Sequence, residues 1–192
     1  MAENRIEIEL MGERLALVTQ PGLFSPGHVD RGTLAMLSAV GFEPGMRVLD
    51  LGCGCGVVGI LAAKKCGDEN VVMADIDPLA VEIARKNAGA NGVPGVTCVV
   101  SNGFAQVDVS GFDLILSNPP YQSDFAVAKA FIEKGFNRLK LGGRMLMVTK
   151  RLDWYKNKLS AIFGGVKVRE IDGYYVFTAE KRCATYANRR QK

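Results

Sequence analysis

From residue 46 onward, short apolar runs alternate with stretches whose apolar residues recur at helical spacing. "MRVLDLG" (46–52), "NVVMADI" (70–76), "VTCVV" (96–100), "FDLILS" (112–117) and "GRMLMVT" (143–149) read as buried strands. Between them, "VVGILAAKKC" (57–66), "PLAVEIARKNAGAN" (78–91), "DFAVAKAFIEKGFNRLK" (124–140) and "LDWYKNKLSAIF" (152–163) read as helices, with Pro78 at a first turn. Such alternation predicts a doubly wound α/β sheet, mostly parallel, with helices on both faces. The segment "VKVREIDGYYVFTAEK" (166–181) carries Asp172-Gly173 between two alternating runs, a strong hairpin signal, so the last strand should be antiparallel. Ahead of residue 46, "RIEIEL-MG-ERLALVT" (5–19) predicts a short N-terminal hairpin and "GTLAMLSAV" (32–40) a lead-in helix. The expected organisation is one domain over 1–192, with hairpin and lead-in helix in 1–40 and a core in 46–181.

Composition fits that picture: 192 residues with 48% apolar content suit one globular domain. The start, "MAENRIEIEL", has no basic region leading into an apolar stretch, and no run approaches the ~20 apolar residues of a membrane helix. A soluble, cytoplasmic protein without a membrane partner is expected. Five cysteines, Cys53, Cys55, Cys66, Cys98 and Cys183, point to free thiols in a reducing compartment. Cys53 and Cys55 lack a second pair at zinc spacing, His28 is the single histidine, and no metal is expected. Charge is divided along the chain. Residues 1–120 hold 8 Lys and Arg against 14 Asp and Glu, a balance of −6, while residues 121–192 hold 16 against 6, a balance of +10. A basic half suggests a polyanionic partner, with a solvated Lys-rich face as the plainer alternative.

In a doubly wound sheet, ligands sit beyond the carboxyl ends of the strands. The first such end reads Asp50-Leu51-Gly52-Cys53-Gly54-Cys55-Gly56. Its glycines allow a sharp turn and close approach of a ligand to backbone, ahead of a helix N-terminus. Alone this is weak evidence, because dinucleotide enzymes use a similar loop. The second end presents Asp75, Ile76 and Asp77. Asp75 suits a ribose diol, and Asp77 suits a helix cap before Pro78. The third presents Asn102-Gly103-Phe104, where Asn102 would bond an adenine edge and Phe104 would cover its ring. The fourth is Asn118-Pro119-Pro120-Tyr121. Two prolines fix two φ angles and remove two N–H donors just where a buried strand stops.

Together "VLDLGCGCGVVGI" (48–60), "ADIDPLAVEIARKN" (74–87) and "LILSNPPY" (114–121) resemble motifs of class I S-adenosylmethionine-dependent methyltransferases, and the sheet is then Rossmann-like. The Asn-Pro-Pro-aromatic tetrapeptide is similar to that of the branch that methylates exocyclic amines of bases or a side-chain amide. "PGLFSPGHVDRGTLAML" (21–37) and residues 142–181 resemble the small-domain ribosomal RNA guanine-N2 methyltransferases. Many of those continue with Phe-His after the prolines, whereas this chain has Tyr121-Gln122. The resemblance implies S-adenosyl-L-methionine as cofactor, held by Asp50, Gly52, Cys53, Gly54, Gly56, Asp75, Ile76, Asn102, Gly103, Phe104 and Asn118. It also implies that the region 24–33 folds over the cofactor, with Phe24 in contact and with Asp30 and Thr33 orienting the methionine end. For Thr33, capping the next helix is the alternative.

Chemistry gives the tetrapeptide a purpose. A purine amine has a delocalised lone pair and is a poor nucleophile. The Asn118 side-chain oxygen and the Pro119 carbonyl would accept its two hydrogens and favour pyramidal nitrogen; Pro120 would hold the turn, and Tyr121 would stack on the base. Lys150, Arg151 and Trp154 follow the next strand and suit an RNA substrate, with a core role for Trp154 as the alternative. The expected reaction is N-methylation of a purine amine in RNA, foremost guanine N2 of ribosomal RNA. Alternatives are N6-adenine methylation of RNA or DNA, a protein glutamine-N5 methyltransferase, a nicotinamide oxidoreductase, and a non-catalytic RNA-binding module. Either a monomer or a homodimer is compatible with the sequence.

Overall fold

The computed structural model describes residues 4–21, 28–119 and 125–187. Two antiparallel strands, β1 (Asn4–Leu10) and β2 (Glu13–Thr19), come first, then helix α1 (Arg31–Ser38). The larger unit runs β3 (Val48–Leu51), α2 (Val57–Cys66), β4 (Val71–Asp75), α3 (Pro78–Ala90), β5 (Thr97–Val100), β6 (Phe112–Ser117), α4 (Phe125–Arg138), β7 (Leu139–Thr149), α5 (Asp153–Phe163), β8 (Lys167–Ile171) and β9 (Tyr174–Glu180). Its seven strands lie in the order β5-β4-β3-β6-β7-β9-β8. The pairs from β5 to β7 are parallel, and β9 is antiparallel to both β7 and β8. This is the mostly parallel α/β sheet with an antiparallel C-terminal strand and a separate hairpin that the pattern predicts.

Alternation along the central strands sends successive side chains into two cores. Val48, Leu114 and Leu116 face the side covered by α1, α2 and α3, here the upper core, and Leu49, Leu51 and Ile115 face the side covered by α4 and α5, the lower core. Because both faces are covered, β3 is buried at every position. Both hairpins turn on two residues with positive φ, Met11 (51°) with Gly12 (79°) and Asp172 (51°) with Gly173 (77°), the geometry that matches strand twist.

Among the boundaries that differ from the pattern, those at the α4–β7 junction and at the start of α1 have clear local causes. Helix α4 stops at Arg138, and β7 begins at Leu139 rather than at 143. The cause is a bulge: Phe112 pairs with Leu139, but Leu114 pairs with Arg144. A Cβ on Gly143 would lie 2.6 Å from the Phe112 carbonyl oxygen, so the bulge packs backbone against backbone, which glycine alone permits. The lead-in helix starts at Arg31, one residue before the expected 32, because Asp30 is its cap: its side chain accepts the Thr33 N–H at 2.9 Å. Thr33 therefore lies inside the helix and does not cap it.

Candidate functional site

The carboxyl ends of β3, β4, β5 and β6 open onto one cavity of about 380 Å³. Its floor is the loop after β3. Gly52 (φ 80°) and Gly54 (φ 54°) hold left-handed backbone there. The loop is pinned to the end of β4: the Gly52 and Cys53 N–H groups donate to the Ala74 carbonyl, and the Gly54 N–H donates to Asp75 Oδ2 at 2.9 Å. Asp75 Oδ1 accepts the Asp77 N–H at 3.0 Å. Each carboxylate oxygen of Asp75 keeps acceptor capacity beside the cavity. Asp77 caps α3 through Leu79 N–H, as the sequence suggests.

Asp50 lines the cavity from near the end of β3 and is 3% exposed. Its carboxylate accepts the Gly59 N–H in the first turn of α2, at 2.9 Å. Burial pushes its pKa up to about 7; the Gly59 bond opposes that rise and the neighbouring Asp75 charge adds to it. Burial likewise raises the Cys53 and Cys55 thiols, so these cavity residues are protonated and unreactive at neutral pH.

Asn118 and Pro119 close the cavity beyond β6. Asn118 Nδ2 donates to Asp30 Oδ2 at 2.7 Å and to Thr33 Oγ1 at 3.0 Å. An ionised carboxylate only accepts, so this bond fixes which end of the amide is nitrogen. The other end, Oδ1, is buried and has no hydrogen-bond partner among the described residues. Beneath it, Ser117 Oγ donates to the Leu51 carbonyl at 2.8 Å, tying the end of β6 to β3.

Of the residues the sequence marks, Asp30, Thr33, Asp50, Gly52, Cys53, Gly54, Asp75, Ile76, Asn102, Gly103, Asn118 and Pro119 line this one cavity. Gly56 does not: it is the left-handed cap of α2, with Ala84, Ile60 and Met73 packed 3.2 Å from where a Cβ would stand. Nor does Phe104, which is 3% exposed in the lower core and meets Phe131 edge-on at 6.4 Å. Phe131 is the ring that reaches the cavity, together with Val127 one turn earlier on α4. Lys150, Arg151 and Trp154 lie outside it, past the end of β7. Lys150 Nζ sits 5.0 Å from the Tyr174 ring centre, and Arg151 lies 4.8 Å from that of Phe125. Phe24, Pro120 and Tyr121 fall outside the described residues.

The sequence gives little sign of three other features. Ile6 of the hairpin, exposed His28 and Val29 also line the cavity. Asn87 on α3 donates from Nδ2 to the carbonyls of Val18 and Cys55, and its Oδ1 accepts the Val18 N–H. Asn91, one turn later, pairs in the same way with both backbone groups of Ala16. These two amides serve β2 as a neighbouring strand would, and Asn87 also joins the hairpin to the glycine loop. Among the described residues no group of three or more His, Cys, Asp or Glu could hold a metal ion, and no helix is long and apolar enough to cross a membrane.

A doubly wound sheet with a glycine loop, an acid after the second core strand and an Asn-Pro pair after the fourth defines a methyltransferase-type nucleoside site. Residues 14–178 match the model of the methyltransferase small domain, and the chain belongs to that family. Among curated relatives, the ribosomal RNA small subunit methyltransferase C of Pseudomonas putida is 32% identical over 93% of this chain and 54% of its own length. That of Hahella chejuensis is 37% identical over 81% of this chain and 46% of its own. A solved T. thermophilus 16S rRNA N2 G1207 methyltransferase, in complex with AdoMet and guanosine, superposes with a TM-score of 0.85 and 28% identity, over 95% of this chain and 51% of that one. A Pyrococcus furiosus methyltransferase, 22% identical with a TM-score of 0.71, shares the fold over 88% of this chain and 90% of its own. The chain thus spans about half the length of the curated relatives it matches.

Proposed function

We infer that the chain is an S-adenosylmethionine-dependent N-methyltransferase whose acceptor is an exocyclic purine amine in RNA, foremost guanine N2 of ribosomal RNA. The observation that carries this reading is Asn118 Oδ1, a buried acceptor without a partner among the described residues, on a residue that lines a cavity of about 380 Å³. An orphaned acceptor of this kind costs about 1–3 kcal/mol and is retained where a ligand donor satisfies it. Likeness to relatives named for ribosomal RNA methylation supports the same substrate class.

The residues present fit the cofactor. A cavity of about 380 Å³ lies in the range of small-molecule sites. Asp75 offers acceptors for a ribose diol, the glycine loop exposes backbone, and Asp50 supplies a buried carboxylate for a cationic ligand. When bound, S-adenosylmethionine supplies an electrophilic methyl group on sulfonium. The protein's own task is to hold the amine. Asn118 Oδ1 and the Pro119 carbonyl accept its two hydrogens, draw the nitrogen toward pyramidal geometry and free its lone pair. Asp30 and Thr33 keep the amide from turning its nitrogen inward. No strong base is needed, because the nitrogen is acidic once methylated and its proton passes to solvent.

The test is turnover of ribosomal RNA fragments with labelled cofactor, followed by nucleoside mass spectrometry. N2-methylguanosine is expected. N6-methyladenosine would move the target base while keeping the Asn118 role, and a methylated glutamine in a protein would remove the RNA assignment. Asn118→Ala should lower the transfer rate by roughly 10²–10³-fold with cofactor affinity nearly unchanged.

A further inference from the structure

Sheet order fixes the side from which a substrate reaches Asn118. The cavity takes its residues from the ends of β5, β4, β3 and β6, and β6 lies between β3 and β7. The cofactor side of Asn118 is therefore the β3 side, and the β7 side is left for the acceptor. Strands β6 and β7 run parallel with Ser117 opposite Met147, so the chain leaving β7 at Thr149 emerges on the same edge as Asn118, about 4.8 Å to the side.

Three flat groups meet there. The Phe125 ring, first residue of α4, stacks on Trp154 with centroids 4.5 Å apart and planes at 29°. The Arg151 guanidinium lies 4.8 Å from the Phe125 ring centre. Trp154 is anchored by an edge-on contact with buried Tyr155 at 5.1 Å, which itself stacks on Phe177 in the core. The rigid end of this ladder is thus in the protein, and the wet end is exposed Arg151, with Phe125, 36% exposed, layered between it and Trp154. Nothing in packing alone requires a cation and two aromatic rings to be stacked at a solvent edge.

We propose that Phe125, Arg151 and Trp154 form a stacking platform for an unpaired base flanking the target nucleotide. This rests on the reading of RNA as substrate. Base stacking on aromatic rings tolerates any sequence, and a guanidinium both adds a flat layer and carries charge to the adjoining phosphate. The platform holds the strand while the neighbouring base enters the Asn118 side of the cavity. Trp154 is tied into the core, so Phe125 and Arg151 are the residues that report on it.

The experiment measures binding of a fluorescent single-stranded ribosomal RNA fragment to the full chain and, separately, binding of S-adenosylhomocysteine by calorimetry. Phe125→Ala should weaken RNA binding by about tenfold or more and Phe125→Tyr by less than about threefold, while Arg151→Ala falls about fivefold. S-adenosylhomocysteine affinity should stay within about twofold in all three, which also reports an intact fold. If the parent binds RNA and Phe125→Ala binds it equally well, the platform is refuted and the RNA reading stands. A parent that binds no RNA and methylates a glutamine peptide overturns both.

Discussion

At Asn118 the proposed chemistry rests on a residue far away in the chain. Asp30, 88 positions earlier, holds the amide nitrogen at 2.7 Å, which leaves the amide oxygen as the free acceptor among the described residues. Asp30 Oδ2 also accepts the Thr33 N–H, so one oxygen serves both as helix cap and as orienter. Asp30→Ala should lower the transfer rate by roughly 10–100-fold and cost about 1 kcal/mol of stability through the lost cap. Asp30→Asn keeps an acceptor for both bonds, so it should keep the stability and much of the rate. Equal rates for parent and alanine variant in single-turnover assays would sink the orienting role. Asp50 carries a second prediction. Burial raises its folded-state pKa from 3.8 to about 7, so the folded chain holds a proton that the unfolded chain releases between those values. Stability should accordingly fall as pH rises from about 4 to 7 and level off above, and Asp50→Asn should flatten that slope in denaturant titrations. A cationic cofactor favours the ionised form, so binding near pH 6 should release a proton. Calorimetry in buffers of differing ionisation enthalpy measures it, and proton uptake would contradict the placement of Asp50 beside the charged ligand.

Among the elements, the hairpin β1–β2 depends on its neighbours, since two strands alone are marginal in water. It buries Leu15 and Leu17 against the upper core and presents its backbone to Asn87 and Asn91. The two asparagines make equivalent pairs with β2 but differ in the second acceptor of Nδ2, the Cys55 carbonyl at 2.9 Å for Asn87 and the Asn87 carbonyl at 2.8 Å for Asn91. Asn87→Ala and Asn91→Ala should both lower the melting temperature. Only Asn87→Ala should also weaken S-adenosylhomocysteine binding, by about fivefold or more, since it alone releases the glycine loop. Matching cofactor affinities in the two variants would show that the loop holds itself. Such links explain what the sequence could and could not convey. The glycine loop, the capped start of α3 and both two-residue turns were legible because each requirement is local: a positive φ, a missing donor or a cap within three residues. Convergence of four strand ends was legible because parallel topology dictates it. Asn87 in "ARKN" looks like any polar helix residue, and its partners lie 69 and 32 positions away. Phe104 and Phe131 are both aromatic and near the site, but which ring turns outward depends on the lower core, where Phe104 fills the space beneath α4. The early start of β7 was hidden because its bulge rests on how closely Gly143 approaches β6.

Across the whole molecule, the charge division in the chain becomes a division in space. Residues 1–120 build the hairpin, α1 to α3 and strands β3 to β6, with a balance of −6; residues 121–192 carry α4, α5 and strands β7 to β9, with a balance of +10. Because the sheet order is β5-β4-β3-β6-β7-β9-β8, the strands of the acidic part end at β6 and those of the basic part continue beyond it, while α1 of the acidic part packs on β7 and β9. Asn118 stands on the seam. On the proposed reading, an acidic half with buried Asp50 favours a cationic cofactor and a basic half favours a polyanion, so the two ligands would approach from different sides of β6. Salt separates them. If four to six phosphates meet the basic half, log K for single-stranded RNA should fall against log salt with a slope of about −3 to −4. Over the same range of about 50 to 200 mM, S-adenosylhomocysteine affinity should change by less than about twofold, because its contacts are buried and poorly screened. Charge reversal localises the effect. Lys150→Glu, beyond β7, should weaken RNA binding and flatten the slope by about one unit. Lys64→Glu, on α2 in the acidic half, should leave both unchanged. Equal losses from the two reversals would mean that the RNA senses net charge alone and that the seam at β6 has no part in directing it.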